Sequence, residues 1–370
     1  MNYRDHFDVP AGTYLLSHSV GCLPQPTRAA VQHYLDQWAT QGGHAWGDWL
    51  DCINHFTSAL ANILGGNASD YCPQVNLSAG LTKWLGALPR RAGRTKILLT
   101  ELDFPSMGFV LAQLRREGYE LVYLPAEQGV ISLDVWLEHL QPDVHLAFIT
   151  HSLSENSYQQ PVAEIVARAR EEEIYSVVDV AQSAGILPID VVQWQADAVI
   201  GSCVKWLCGG PGAGFLWVNP ALIEHLTPRD VGWFSHSNPF EFDIHHFEWA
   251  HDARRFWGGT PSVLPFVAAT EGLRLLHSIG VETLYRHNRQ LTTQLRQIAH
   301  EQGVTVNTPM FPQCGGTVVL DFPDRVRAAQ VFDQHQIHVD LRPTFGFRFS
   351  PHIYTDVADI QCLADIFRQV

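Results

Sequence analysis

An aspartate and a lysine are the residues of this sequence whose setting best suits acid–base or nucleophilic chemistry. Asp179 closes the apolar run VVDV, and Lys205 follows a second apolar run and precedes the turn CGGPG. A carboxylate at a strand end can pair with a protonated ring nitrogen, and a lysine in apolar surroundings has a more nucleophilic amine because burial disfavours its charged form. Taken singly, Asp179 could be a helix cap and Lys205 an ordinary surface lysine.

The apolar runs around these two residues predict a mostly parallel sheet. Short β-rich runs alternate with helical patterns such as 106–117 and 162–173, which is typical of strands covered on both faces. Ligands of such sheets bind at the carboxyl ends of the strands, where Asp179 and Lys205 are expected. The predicted strands are residues 96–100, 120–124, 146–150, 175–180, 198–201 and 215–218.

The remainder of the chain predicts two further parts. Helical patterns precede the sheet, and a helix at 262–279 leads into an α+β unit that ends in a closing helix. Because 370 residues exceed one ordinary hydrophobic core, we expect an N-terminal segment (1–60) that packs on the C-terminal domain, a large domain (61–260) and a small C-terminal domain (261–370). The other predicted elements are helices at 26–38, 50–64 and 356–369 and strands at 315–322, 336–341 and 346–350.

Composition and charge limit the classes of function. A net charge of −14 disfavours contact with phosphate backbones, so no nucleic-acid partner is expected. The seven cysteines include no C-x-x-C pair, which predicts no metal site and no disulfide framework, and indicates a reducing cytoplasm. No apolar run of about 18 residues and no apolar leader occur, so neither a membrane span nor a signal peptide is expected.

Several segments together resemble a known enzyme family. The stretch 177–218, from VVDVAQSAG to FLWV, is similar to the class V family of fold type I enzymes, which use pyridoxal phosphate (PLP). The segments FPS (104–106), GWFSH (232–236), PFEF (239–242), RFWGGTP (255–261) and RFSPHIY (348–354) resemble its kynureninase branch. The resemblance covers nearly the whole chain. It implies PLP as cofactor, an α/β fold with a mostly parallel seven-stranded sheet and a smaller C-terminal α+β domain, and a homodimer with shared active sites.

The resemblance also implies a role for each residue around the cofactor ring. Lys205 would hold the cofactor as a Schiff base and move protons at the substrate α-carbon, and Asp179 would pair with the pyridine nitrogen. Gln182 would contact the ring oxygen, and Phe104 would stack on the ring face. Arg348 would clamp the substrate α-carboxylate with its planar fork. It could instead belong to a structural ion pair, although its setting FGFRFSP gives it no adjacent acidic partner.

The cofactor phosphate is expected at a helix start. The resemblance places it on Ser78 and Ala79, where free N–H groups and the helix dipole favour an anion. Ser202 is a further donor, and Thr260 would reach the phosphate from the neighbouring subunit. On local sequence alone, residues 78–80 could equally be a simple helix cap.

The substrate pocket is expected to contain Trp233, contributed across the dimer, and His18. His236 and His352 are further candidates, although loop hydrogen bonds are the simpler interpretation of each histidine. Core packing could equally explain Trp233 and Phe104.

Three departures from the kynureninase pattern concern the substrate. Val204 stands where kynureninases carry a tyrosine, Met107 stands where they carry an aspartate, and HSLSENS (151–157) lacks their aromatic residue, arginine and glycine.

The resemblance favours hydrolytic Cβ–Cγ cleavage of a kynurenine-type amino acid, which yields alanine and an anthranilate-like acyl product. Transamination or epimerisation of another amino acid is the alternative. Cysteine desulfuration is disfavoured because no cysteine lies between Cys314 and Arg348. A non-catalytic PLP-fold binding protein is disfavoured because Lys205, Asp179 and Arg348 are all present.

Overall fold

A computed structural model describes residues 3–370 of the chain. Its strands are β1 (Phe7–Asp8), β2 (Thr13–Tyr14), β3 (Leu23–Pro24), β4 (Tyr71–Gln74), β5 (Lys96–Thr100), β6 (Glu120–Leu124), β7 (Val144–Thr150), β8 (Tyr175–Asp179), β9 (Ala198–Ser202), β10 (Gly214–Val218), β11 (Thr305–Val306), β12 (Val318–Asp321), β13 (Ile337–His338), β14 (Asp340–Arg342) and β15 (Gly346–Phe349). Its α-helices are α1 (Thr27–Gln41), α2 (Trp46–Leu64), α3 (Leu77–Ala87), α4 (Pro105–Ala112), α5 (Leu133–His139), α6 (Val162–Glu171), α7 (Val191–Trp194), α8 (Pro220–Ile223), α9 (Leu264–Ile279), α10 (Val281–Glu301), α11 (Arg325–Gln334), α12 (Val357–Gln361) and α13 (Leu363–Phe367).

The main sheet confirms the predicted fold class. Within the described residues it has seven strands, in the order β4–β10–β9–β8–β7–β5–β6. The five neighbouring strands β6, β5, β7, β8 and β9 are parallel, and β10 is antiparallel to both β9 and β4. Every residue of β7 and β8 is buried, which explains why these strands are continuous apolar runs in the sequence.

The strand β4 is the main-sheet strand that the apolar runs did not indicate. Its sequence is YCPQ, and a proline and a glutamine interrupt the β-rich pattern. It is nevertheless fully buried and pairs with β10. Its place in the sheet is therefore decided by packing, which overrides weak local preference.

A smaller sheet with its own core forms the C-terminal unit. Its order is β11–β12–β15–β14, and the helices α10, α11 and α13 contribute to the same apolar cluster. The strand β2 pairs in parallel with β13, so the N-terminal segment contacts this unit. The helices α2 and α9, in contrast, share the core of the main sheet. The domain boundaries near residues 60 and 260 remain predictions.

Two further findings concern the chain as a whole. Among residues 3–370 no helix is both long and apolar enough to cross a bilayer. The seven cysteines are all free thiols, and no disulfide framework is present among them.

The N-terminal segment also packs directly on the backbone of Lys205. The amide of Gly21 donates to the carbonyl of Val204 at 2.8 Å. A Cβ atom at position 21 would lie 2.2 Å from the carbonyl oxygen of Lys205 and 2.8 Å from Sγ of Cys208. Only glycine permits this approach, so the position of Lys205 depends on a residue far from it in sequence.

Replacing Gly21 by alanine should therefore destabilise the fold. We expect Gly21→Ala to lower the free energy of unfolding by about 1–3 kcal/mol, because the new methyl group meets backbone atoms that cannot rotate away. Gly43→Ala is the matched control, since a Cβ there meets nothing within 4 Å. Urea unfolding of both variants measures the difference, and equal midpoints would contradict the close approach.

Candidate active site

A cavity of about 220 Å³ lies at the carboxyl ends of β5, β7, β8 and β9 and beside the first residues of α3. It brings together most of the residues that the sequence predicted for cofactor binding. These lining residues are Ser78, Phe104, Asp179, Gln182, Ser202 and Lys205.

Asp179 is the last residue of the buried strand β8 and is 4% exposed. Its Oδ1 accepts a hydrogen bond of 2.7 Å from the amide of Ala181. Burial raises the pKa of Asp179, while the Ala181 hydrogen bond and the charge of Lys205 act in the opposite direction. The carboxylate is thus held at the cavity wall, where it stabilises a positive partner.

Lys205 follows β9 and lies in the same cavity. Burial lowers the pKa of Lys205 to about 8, although the charge of Asp179 opposes this, and the charges of Arg348 and Arg342 lower it further. Its Nζ lies 5.7 Å from the centre of the Phe104 ring. The amine is therefore largely available as a nucleophile in mildly basic solution, beside an aromatic surface.

The start of α3 forms another part of the cavity wall. Asn76 caps the helix, because its side-chain oxygen accepts the amide hydrogen of Ala79 at 2.9 Å. Asn76, Leu77 and Ser78 line the cavity, whereas Ala79 is not among the lining residues. The expectation that the Ala79 amide is free for an anion is thus wrong, and the first turn of α3 presents Ser78 instead.

Gln182 is fixed at both ends of its side-chain amide. Its Nε2 donates to the main-chain oxygen of His18 at 3.1 Å, and its Oε1 accepts from the Trp206 indole at 3.2 Å. His18 is 1% exposed and lies behind this wall rather than in the cavity lining. His18 therefore does not line the cavity, and its contact with the substrate stays a prediction.

The side chain of His18 belongs to a buried polar cluster. Its Nε2 lies 2.8 Å from Oδ1 of Asp340, and its Nδ1 lies 2.6 Å from Oγ of Ser350. A carboxylate only accepts hydrogen bonds, so Nε2 donates to Asp340. Burial lowers the pKa of His18 to about 4, so the ring is neutral near pH 7.

Arg348 does have an acidic partner, contrary to the expectation from its sequence neighbours. It lies on β15 directly opposite Asp340 on β14. Its Nε donates to Oδ1 of Asp340 at 2.8 Å, its Nη2 donates to Oδ2, and its Nη1 donates to the main-chain oxygen of Ser154 at 2.9 Å. The partner was missed because antiparallel pairing brings together residues that are eight positions apart.

This pairing sets the charge of Asp340. Burial alone would raise the pKa of Asp340, but the hydrogen bonds from His18 and Arg348 and the positive charge of Arg348 hold it well below its usual range. Asp340 is therefore a carboxylate at any pH near neutrality, and it compensates the charge of the buried guanidinium.

Trp233 and Thr260 lie together but outside the Lys205 cavity. The indole nitrogen of Trp233 lies 3.3 Å from Oγ1 of Thr260, and the Trp233 ring stacks on Phe242 at 5.9 Å. Phe242 is 76% exposed. The contribution of Trp233 and Thr260 to the site of a partner subunit remains a prediction.

The two other candidate histidines make local contacts. Nε2 of His352 lies 2.9 Å from the main-chain oxygen of Trp206, and its ring stacks on that indole. Nδ1 of His236 accepts the amide hydrogen of Asn238 at 2.8 Å. A group of possible metal ligands, with atoms within 4.8 Å of one another, is formed by His236, Glu241 and His246. The hydrogen bond from Asn238 to Nδ1, however, leaves the proton of a neutral His236 on Nε2, the atom that a metal ion would need.

Several residues of the site were not predicted. Thr150 ends β7, and its hydroxyl donates to Oδ1 of Asp103 at 2.6 Å. Burial raises the pKa of Asp103 to about 7. The rule that ligands bind at strand ends points to the lining residues that follow β4, β5 and β7, which are Asn76, Ser106, Ser152 and Ser154.

Comparison with known proteins agrees with this geometry. The family model described as "Aminotransferase class-V" matches residues 77–340. A kynureninase of Pseudomonas fluorescens is 26% identical over 98% of this chain and 91% of its own length, and a kynureninase of Bacillus anthracis is 27% identical over 95% and 86%. An uncharacterized aminotransferase of Bacillus subtilis is 26% identical over 98% and 96%.

Solved structures share the fold. The cystine C–S lyase C-DES, solved as a variant with glycine covalently linked to its PLP cofactor, has a TM-score of 0.88 at 23% identity and covers 98% of both chains. The cysteine desulfurase of Thermococcus onnurineus NA1 has a TM-score of 0.86 at 20% identity and covers 96% of this chain and 93% of its own. At these identities the likeness concerns the fold.

The lowered pKa of Lys205 predicts a pH-dependent stability of the cofactor-free protein. From pH 8 to about 10.5 the unfolded state binds this proton and the folded state does not, so the free energy of unfolding rises with pH relative to Lys205→Met, which has no such proton. We expect a relative gain on the order of 2 kcal/mol across this window. Urea unfolding of both proteins at several pH values measures it, and a constant difference would refute the burial of a titrating amine.

Proposed function

Since the chain belongs to the class V aminotransferase family, which makes it a PLP-dependent enzyme, we propose that it hydrolyses the Cβ–Cγ bond of a kynurenine-type amino acid. Water adds to the side-chain carbonyl carbon, the Cβ–Cγ bond breaks, and Cβ takes up a proton. The products are alanine and an anthranilate-like carboxylic acid. The observation that carries the proposal is the convergence of Lys205, Asp179 and Phe104 on one cavity in a chain similar to kynureninases over most of its length.

The residues around the cavity fit PLP. Asp179 offers an anion for the pyridine nitrogen, Lys205 an amine for the aldehyde, and Phe104 an aromatic face. The hydroxyls of Ser152 and Ser154 are buried and have no hydrogen-bond partner among the described residues. The cavity therefore contains polar groups that can form hydrogen bonds with a ligand. When bound, PLP supplies the electron sink for the electrons released at the substrate α-carbon.

Each protein group then has a stated task. The amine of Lys205 removes and returns the proton at the α-carbon, because its lowered pKa lets it act as a base near neutral pH. The carboxylate of Asp179 keeps the ring nitrogen protonated. The guanidinium of Arg348 holds the α-carboxylate and so orients the α-carbon towards Lys205.

Two substitutions relative to kynureninases leave room for a different substrate. Met107 replaces an aspartate, is 2% exposed and lines the cavity, where it offers an apolar side chain instead of a carboxylate. Val204 replaces a tyrosine and lines the cavity, where it offers no hydroxyl. Neither change removes a group that we assign to proton transfer, so both bear on substrate choice.

Amino-group transfer to a keto acid is the second candidate. It is favoured by the likeness to an uncharacterized aminotransferase over 98% of this chain. Cysteine desulfuration is not proposed, because Cys314 is buried and no cysteine lies between it and Arg348.

We also propose a homodimer in which Trp233 and Thr260 of each subunit complete the site of the other. The support is their position beside the exposed rings of Phe240 and Phe242, since an exposed apolar patch is typical of an interface. A cytoplasmic location also stays a proposal.

Incubation of the PLP-loaded enzyme with L-kynurenine and L-3-hydroxykynurenine tests the reaction. We expect equimolar alanine and aromatic acid, measured by chromatography. Formation of a keto acid without alanine would refute the hydrolysis and support amino-group transfer.

Variants of the two central residues test the assigned roles. Lys205→Ala should lower kcat by about 10²–10⁴-fold, because the proton-transfer group is lost, and Asp179→Asn by about 100-fold. Borohydride treatment followed by peptide mass spectrometry should place a pyridoxyl group on residue 205 of the wild type and of Asp179→Asn. A pyridoxyl group on another residue would contradict the assignment of Lys205.

A further inference from the structure

The turn after β5 carries a carboxylate that the proposed reaction does not use. It belongs to Asp103, which directly precedes Phe104 in the chain. Its Oδ2 accepts the amide hydrogen of Thr100 at 2.7 Å, and its Oδ1 accepts the hydroxyl hydrogen of Thr150 at 2.6 Å. Asp103 thus joins the end of β5 to the end of β7.

Thr150 connects Asp103 to the cavity. It is the last residue of β7, is 5% exposed and is one of the lining residues. In the parallel pairing of β7 with β8 it lies directly opposite Asp179, so the two side chains stand on the same face of the sheet at neighbouring strand ends. The Thr150 hydroxyl is therefore next to the carboxylate that we assign to the ring nitrogen of PLP.

The hydrogen bond to Asp103 determines what the Thr150 hydroxyl offers to a ligand. A hydroxyl has one hydrogen to donate and two lone pairs that accept. Since an ionised carboxylate only accepts, the hydrogen of Thr150 is used on Asp103. Towards the cavity Thr150 therefore presents lone pairs, which attract a positively charged N–H group and repel another acceptor.

Asp103 keeps this arrangement in mildly basic solution. Burial raises the pKa of Asp103 to about 7, the charge of Asp179 acts in the same direction, and the hydrogen bonds of Thr150 and Thr100 oppose both. At pH 8 Asp103 is therefore mainly ionised. The carboxylates of Asp103 and Asp179 both gain from a positive group placed near them.

We propose that Thr150 is a second acceptor, beside Asp179, for the protonated ring nitrogen of PLP, and that Asp103 is the positioning residue that directs the Thr150 lone pairs to it. Asp103 itself is not among the lining residues, so it acts through Thr150 and through its charge. The inference rests on the roles proposed for Asp179 and Lys205 but not on Cβ–Cγ cleavage.

Binding of two cofactors to the cofactor-free protein at pH 8 tests the inference. The first is PLP. The second is its carbocyclic analogue, in which C–H replaces the ring nitrogen while the aldehyde, hydroxyl and phosphate remain. The change in visible absorption during titration measures both dissociation constants. Because neither compound is a substrate, the result does not depend on which reaction the enzyme catalyses.

The decisive variant is Asp103→Asn. Its side-chain oxygen can still accept from Thr100, while its amide nitrogen donates to the Thr150 oxygen and so turns the Thr150 hydrogen towards the cavity. We expect the dissociation constant of PLP to rise about tenfold, as for the loss of one hydrogen bond to a charged group. That of the analogue should stay unchanged.

Three further variants separate an effect on the ring nitrogen from a structural effect. Thr150→Val has nearly the same shape without the hydroxyl and should also lose the preference for PLP, whereas Thr150→Ser keeps the hydroxyl and should retain it. Glu101→Gln removes a carboxylate from the same turn. Because Glu101 is exposed and does not line the cavity, both constants should stay unchanged. A displaced Phe104 ring would weaken both compounds equally, since each stacks on it.

Comparison with Asp179→Asn shows which assignment fails. Loss of the preference for PLP in Asp179→Asn, but in neither Asp103→Asn nor Thr150→Val, would overturn the inference and leave the role of Asp179 standing. The reverse result would refute the role of Asp179 and support Thr150. Equal weakening of both compounds in Asp103→Asn, or a wild type that binds both equally, would also overturn the assignment of Thr150 and Asp103.

Discussion

The burial of an amine beside a carboxylate is the constraint on which the site depends. Lys205 loses hydration in the cavity, which lowers its pKa to about 8, while Asp179 is kept in the same cavity by the strand that ends with it. Burial of either charge costs free energy unless a partner compensates it. The main sheet supplies rigid strand ends at which both groups can be held. The negative charge of Asp179 suits a protonated ring nitrogen, and the amine of Lys205 suits an aldehyde, which are the two groups that a pyridine cofactor such as PLP presents.

A second charged group ties the remaining parts of the chain to this cavity. Arg348 of the small unit contacts Ser154 of the large unit, and Asp340 joins it to His18 of the N-terminal segment. The main-chain oxygen of His18 in turn accepts from Gln182 in the cavity wall. The surroundings of Arg348 are thus built from three separate segments, and a buried pair such as Arg348 and Asp340 tolerates the loss of one partner poorly.

The parts of the fold that could be predicted are those with strong local signals. The strands β5 and β6 have the predicted bounds, because β-rich runs are flanked there by polar turns. The strand β4 was missed because YCPQ has no such pattern, and the separation of the closing helix into α12 and α13 was missed because one amphipathic pattern spans both. Phe104, Asp179, Gln182, Ser202 and Lys205 share one cavity as the sequence suggested, whereas Ala79 does not line it.

The apolar periodicity of the sequence by itself determined the α/β class, and the resemblance of its segments determined the PLP-dependent family and indicated Lys205 and Asp179 as the central residues. Only the tertiary structure decided which groups surround them. The partner of Arg348 depends on the register of two antiparallel strands, the cap on Ala79 depends on the exact start of a helix, and the unpaired hydroxyl of Ser154 depends on everything packed around it. These are relations between distant segments, and their energies are set by burial and direction, which no single stretch of sequence contains.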